Sequence, residues 1–234
     1  MIKRETVLVL GAGDSAPYGF PSGQRLADQI SLDGGTQLER TGFKMDEYGH
    51  FREALLRSGC SSVDTFLEAR QEYLEVGKAA IAAALLPMER TGNLFDKWTA
   101  IRLKPNISRD HRGNWPWYHF LLGVLCNGVP FNAIGDNRLS ILTFNYDRSL
   151  EHFFFTAVKN RYGKPAGECA KVLNRIPVVH LYGSLGKLKW QEGAHDDNTV
   201  PYDSHGEVEY IRRAARSIMI VHEGTDRTHD FPIA

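Results

Sequence analysis

The chain has 234 residues, 42% of them hydrophobic, with 28 basic side chains balancing 28 acidic ones. That length and apolar content suit one sizeable core rather than two independent units. The neutral balance leaves no electrostatic footprint for non-specific nucleic-acid binding. No run approaches the roughly 20 apolar residues of a membrane span, and nothing at the N-terminus reads as a signal peptide. Cys60, Cys126 and Cys169 are scattered, which fits a reducing cytoplasm, and none lies within metal-ligand spacing of another.

In chain order, Thr6–Leu10 predicts a buried parallel strand and runs directly into Gly11-Ala12-Gly13-Asp14-Ser15. Glycines there let the backbone turn tightly and approach a pyrophosphate, whose charge is met by amides at the next helix start, with the Ser15 hydroxyl as a further donor. A tight turn that binds nothing is the plain alternative. A dehydrogenase fingerprint wants an unbroken helix next and an acidic residue about 20 positions on, at a strand end. Pro17, Gly19, Pro21 and Gly23 interrupt the helix here, and Asp33 lies in a Gly-Gly turn, so an ordinary hydride-transfer domain is disfavoured. Residues 36–60, broken by Gly42 and Gly49, read as loops around a short helix. Ser61 or Ser62 then caps a long helix that carries Val63, Phe66, Leu67, Tyr73 and Leu74 and stops near Pro87. Residues 95–114 read as an irregular excursion, and Pro116–Cys126 as a helix with Trp117 and Phe120 in the core.

Leu139–Phe144 and Ile176–Val179 predict two further buried parallel strands. The first delivers Phe144-Asn145-Tyr146-Asp147 and the second His180-Leu181-Tyr182-Gly183-Ser184. An open α/β sheet binds its ligand beyond the C-terminal ends of its strands, so the three motifs are expected to meet in one crevice. The neutral amide of Asn145 both donates and accepts, which suits holding a ribose or a water. Asp147 can bind a carboxamide or brace the loop, and His180, with an ordinary pKa of roughly 6.5, can take a proton. The bland alternatives are an Asx turn at 145–147, capping a helix that starts near Arg148, and a histidine that only packs. After Gly183, Leu185–Trp190 predicts a strand, residues 191–205 a polar loop, Glu207–Arg216 a helix whose Arg212, Arg213 and Arg216 face solvent, and Ser217–Val221 a buried strand.

Together the motifs resemble the sirtuin superfamily, whose first loop reads Gly-Ala-Gly-x-Ser and is followed by Gly-x-Pro, here Gly19-Phe20-Pro21. The Asn-x-Asp and the His followed by Gly also match, at Asn145, Asp147, His180 and Gly183. The likeness is closer to the sirtuin-like domains of bacterial antiphage defence systems, through Phe-Asn-Tyr-Asp, His-Leu-Tyr-Gly-Ser and the helix start Ser62-Val63-Asp64-Thr65-Phe66-Leu67-Glu68. The resemblance implies an α/β fold with a Rossmann-like, mostly parallel sheet, one domain over 1–234, and a helical insertion over about 36–128. It also implies a dinucleotide site. Gly11, Ala12, Gly13, Ser15, Gly19, Pro21, Asn145, Asp147, Gly183 and Ser184 would bind NAD as substrate, with Asn145, His180 and Asp147 catalytic and no metal. The paired cysteines of the zinc module in deacylase sirtuins are missing, and Ser22-Gly23-Gln24 replaces their Asp-Phe-Arg, which disfavours peptide deacylation. The expected activity is hydrolysis of NAD+ to nicotinamide and ADP-ribose by a toxic cytoplasmic effector, working as a homo-oligomer or with a partner defence protein. ADP-ribosyl transfer or deacylation, and a nucleotide sensor without turnover, are the alternatives. Glu223-Gly224-Thr225-Asp226 matches the family's adenosine-side turn imperfectly, so the chain is expected to be a compact variant or one whose last strands are missing.

Overall fold

Three short apolar runs form one parallel sheet in the computed structural model, which describes residues 1–33, 36–39, 41–95 and 117–220. β1 (Thr6–Leu10) lies beside β2 (Leu139–Thr143), and β2 beside β3 (Val178–His180). Thr6 is level with Leu139 and Leu10 with Thr143, so both chains leave the sheet at the same end; Thr143 is in turn level with His180. Leu10 and the alternate β2 residues Leu139, Ile141 and Thr143 face the core. Contrary to the expected fully buried strand, Val7 and Val9 are 60% and 59% exposed, because they occupy the other face of the pleat.

Parallel neighbours need long crossovers. The first begins with a single turn, α1 (Ala12–Ser15), and then the expected interruption ahead of α2 (Gly23–Leu32), whose cap Ser22 accepts a hydrogen bond from the Arg25 amide. After the short α3 (Thr36–Glu39) comes α4 (Met45–Ser58), a full 14-residue helix where loops around a short helix were expected. Its buried Tyr48, Phe51 and Leu55 recur at helical spacing, and their burial outweighs the modest cost of Gly49. The expected long helix after Ser62 is two, α5 (Val63–Ala69) and α6 (Leu74–Leu85), joined by a 3-10 turn over Gln71–Tyr73. Ser62 caps the first by accepting from the Thr65 amide at 3.2 Å. The break turns Tyr73 onto Phe51 and Phe66, each with its ring centroid 5.9 Å away. Along α6 the small buried residues Gly77, Ala79, Ala80, Ala82 and Ala83 admit close neighbours. A Cβ on Gly77 would come within 2.5 Å of Leu67.

α7 (Trp117–Cys126) returns toward the sheet with Tyr118, Leu121 and Leu125 buried, but Phe120 points to solvent rather than into the expected core. The second crossover is α8 (Ser149–Tyr162) and α9 (Ala166–Leu173). Beyond β3 the expected strand over Leu185–Trp190 is reduced to one bridge between Lys187 and Thr199, with Leu185 and Leu188 buried. α10 (Val208–Ser217) follows, and the expected strand after it is reduced to a bridge between Ile218 and Gly183. Arg212 and Arg213 do not simply face solvent: Arg212 donates to the Thr41 carbonyl, and Arg213 to those of Asp196 and Thr199. Most of the excursion at 95–114 and the turn at 223–226 lie outside the described residues. No described helix is long and apolar enough to cross a membrane.

One buried ion pair ties these pieces together. The Arg148 guanidinium meets the Glu89 carboxylate with both side chains fully buried, and the Arg148 amide donates to the same carboxylate at 3.0 Å. Arg148 also donates to the Val200 carbonyl at 2.6 Å. Burial pushes the Glu89 carboxyl above its ordinary 4.5, although Arg148 opposes this. Arg148→Met strands that carboxylate and should cost about 3–5 kcal/mol in urea denaturation at neutral pH. The deficit should shrink as the pH falls and Glu89 takes up a proton. Pairing the change with Glu89→Leu should cost less than Arg148→Met alone.

Candidate active site

The C-terminal ends of β1 and β2 are stitched by the Phe144 amide donating to the Leu10 carbonyl at 3.0 Å. Just beyond, the Asn145 amide group donates to the Gly11 carbonyl at 3.0 Å and to the Ser15 hydroxyl at 2.9 Å. The first two motifs thus share one hydrogen-bonded corner. The opposite atom of that amide, Oδ1, is buried and has no hydrogen-bond partner among the described residues. A cleft opens here, lined by Ala12, Ser15, Phe20, Pro21, Asp64, Phe144, Asn145 and Asp147 among others. Among the described residues its lining includes two carboxylates and no lysine, arginine or histidine. Among the described residues no group of His, Cys, Asp and Glu is placed to hold a metal ion.

Each polar wall has an identifiable support. Asp147 is buried; its carboxylate accepts from the Ser149 amide at 3.1 Å and from the Ser149 hydroxyl, and so satisfies the first amide of α8. Burial pushes its carboxyl above the ordinary 3.8, with hydrogen bonds from Ser149 and Ser15 opposing. The Tyr118 hydroxyl meets that of Ser149 at 2.7 Å, and the Tyr118 ring stacks on Tyr18 at 3.8 Å. Asp64, from the start of α5, receives the Tyr146 hydroxyl, and burial likewise raises its carboxyl. The Trp117 indole donates to the Asp14 carbonyl at 2.9 Å, fastening the glycine loop to α7.

The loop itself departs from a free anion cradle. The Gly11 amide donates to the Asp14 carboxylate at 2.7 Å, so one of the amides expected to meet a pyrophosphate is engaged by an acid. Gly13 has open space where a Cβ would stand. Gly19 ends a 3-10 turn over Ala16–Tyr18 with φ +100, and Pro21 lies at the cleft edge.

His180 sits behind the cleft. Its Nδ1 donates to the Asn145 carbonyl at 2.7 Å, and its Nε2 lies 2.7 Å from Glu151, a buried carboxylate on the first turn of α8. Burial disfavours charge on the ring, but Glu151 and the Asn145 carbonyl outweigh it and hold the His180 pKa above 6.5. Burial is likewise outweighed at Glu151, where His180 holds the carboxyl below 4.5. As an imidazolium, the ring donates from both nitrogens and keeps no lone pair for water. In this arrangement His180 positions Asn145 through its main chain, a different task from the proton acceptor expected from sequence. Gly183 and Ser184 are held against the end of α10 and are not among the cleft-lining residues described: the Ser184 amide donates to the Ser217 carbonyl at 3.2 Å, and a Cβ on Gly183, at φ +68, would stand 1.9 Å from that oxygen.

Two site residues escape a motif reading. Glu151 lies four positions after Asp147, where an acid in a first helical turn is ordinary. Asp64 belongs to a quoted motif, yet its place in the cleft depends on the α5 start meeting the β2 loop. Comparison of the chain with protein-family models, curated proteins and solved structures finds no match.

The His180–Glu151 pair sets a pH window. Glu151 contributes stability above 4.5 that is lost as the pH falls through its lowered value; His180 contributes below 6.5 and loses it as the pH rises through its raised value. Urea midpoints should therefore decline on the alkaline side in the wild-type protein, and His180→Ala should flatten that decline. The glycines should separate by thermal melting. Gly183→Ala should destabilise markedly, whereas Gly13→Ala should leave stability within about 1 kcal/mol, since helical alanine is favoured by a similar amount.

Proposed function

We propose that the chain is a sirtuin-like NAD+ glycohydrolase with a Rossmann-like core, cleaving the oxidised cofactor to nicotinamide and ADP-ribose at the Asn145 cleft. The observation that carries the reading is the corner where Asn145 joins Gly11 and Ser15, with its Oδ1 unpartnered in a cleft whose charged groups are Asp64 and Asp147. Such a wall suits the nicotinamide riboside end of the substrate, which is cationic, rather than its phosphates. The bond between ribose C1′ and the nicotinamide nitrogen breaks, and its electron pair leaves on nicotinamide, which becomes neutral. The oxocarbenium-like ribose that develops is stabilised by fixed dipoles and negative charge. Asn145 Oδ1 accepts from a ribose hydroxyl or from the attacking water, whose oxygen bonds to C1′ and whose proton is lost to solvent. His180 and Glu151 hold the Asn145 main chain during this step. The Asp14 carboxylate at the Gly11 amide must yield for a pyrophosphate to use that amide. The resemblance to antiphage-defence domains adds a role as a toxic effector, with a homo-oligomer or a partner protein controlling it.

A second reading, a nucleotide-binding sensor without turnover, draws on the pairing of both His180 nitrogens, which leaves no histidine base for the cleft. One incubation separates the two. Purified protein with NAD+ should release nicotinamide and free ADP-ribose, and Asn145→Ala should reduce the rate by at least about 100-fold, the scale for losing a preorganised donor or acceptor. Asp64→Asn should lower it too. The acid limb of the rate should sit above the ordinary 3.8 of an aspartate, because burial raises both cleft carboxyls and the protonated forms no longer support a cation. Tight NAD+ binding without nicotinamide release would select the sensor, and absence of both would remove the reading.

A further inference from the structure

β1 has β2 on one side and, among the described residues, no strand on the other. The Thr6 amide donates to the Arg138 carbonyl and the Leu10 carbonyl accepts from the Phe144 amide, so the even-numbered residues of β1 turn their main chain toward β2. Along a strand those groups alternate sides, which leaves the main chain of Val7 and Val9 pointing out along the open edge. Among the described residues nothing bonds to it. Exposed edges are ordinarily blunted by lysine, proline or a bulge, and the regular run Thr6-Val7-Leu8-Val9-Leu10 carries none of these.

The side chains along this edge are apolar as well. Val7 and Val9 are both more than half exposed, on the face of the sheet away from the core. α7 runs antiparallel beside β1, since the Trp117 indole reaches the Asp14 carbonyl at one end and the Met1 amino group reaches the Val124 carbonyl at the other. Phe120, between those two contacts, is 77% exposed. The charges at the two ends of β1 are opposite. Lys3 and Arg4 are exposed at its start, with Glu5 beside them engaged by Arg138, whereas Asp14 and the cleft acids Asp64 and Asp147 lie beyond Leu10. A parallel neighbour of the same kind would set like ends together. An antiparallel one sets a basic start against an acidic end, and a second copy of β1 supplies that strand through a two-fold axis.

We propose that β1 is a dimer interface, pairing antiparallel with β1 of a second copy of this chain about an axis at Leu8 and joining two three-stranded sheets into one. In that register Val7 of each copy exchanges main-chain bonds with Val9 of the other, and their β-branched side chains stand opposite one another. Lys3 and Arg4 then come beside the glycine loop and Asp14 of the other copy.

The test is sedimentation of the full chain over a dilution series, together with amide hydrogen exchange. The mass should double with concentration, and the Val7 and Val9 amides should exchange slowly in the dimer and fast after dilution. Val9→Lys places a charge at an already exposed position and should weaken self-association at least about tenfold. Arg4→Glu should weaken it too, and more at low salt than at high. Leu56→Lys, at a similarly exposed apolar residue of α4, should leave it unchanged. Should Val9→Lys fail to fold, exchange of the wild-type amides at two concentrations decides. The proposal is overturned by a chain that stays monomeric at its highest soluble concentration, or by a dimer that Val9→Lys leaves as tight as before. Val7 and Val9 amides already protected in the monomer, because another stretch of the chain covers them, would overturn it as well. None of these outcomes depends on whether the Asn145 cleft hydrolyses NAD+.

Discussion

The buried pairing of Arg148 with Glu89 is the constraint on which the remaining architecture depends. Arg148 stands between the cleft residue Asp147 and the first residue of α8, while Glu89 lies shortly after α6 and Val200 belongs to the segment after β3. Three distant stretches of chain therefore converge on one guanidinium. Removing two charges from water costs several kcal/mol each, so the pair holds only because its hydrogen bonds are nearly all satisfied. That requirement is geometric, and it fixes where the loop carrying Asn145 can lie.

The same loop is held from two other directions. Asp147 accepts from Ser149, which links through Tyr118 to the stacked Tyr18, so the glycine loop, α7 and α8 share one buried polar network. From the opposite side, His180 carries the Asn145 carbonyl and is itself oriented by Glu151. Buried networks of this kind are rigid when fully satisfied and costly when one member is lost. Asn145 Oδ1 is buried without a hydrogen-bond partner among the described residues, on a side chain that lines the cleft.

The legible parts of the chain are those set by local rules. Ser62 reads as a cap because a hydroxyl before an apolar helical run answers orphan amides, and the ends of β1 and β2 read because glycine or Phe-Asn-Tyr-Asp follows the aliphatic run. The α4 helix is misread because two glycines and mixed charge mask a stripe, Tyr48, Phe51 and Leu55, whose value comes only from the partners it packs on. The break before Tyr73 is set by Phe51 and Phe66, which no propensity reports. At the site, Asn145, Ser15 and Gly11 are found by their motifs. Arg148 meets Glu89 across 59 positions, and His180 meets Glu151 across 29, so both partners are invisible until the chain is folded.

The bridge between Lys187 and Thr199 has a separate implication for how the molecule tolerates change. The Lys187 amide donates to the Asn198 carbonyl and the Val200 amide to the Lys187 carbonyl, closing the tip that carries Trp190 and Gln191 into a loop of its own. Val200, on the anchored side of that closure, is the residue whose carbonyl serves Arg148. Insertions within the tip change a closed loop, and doubling its length costs only about 0.6 kcal/mol of closure entropy. The tip can therefore change in length while the clamp beneath it keeps its register.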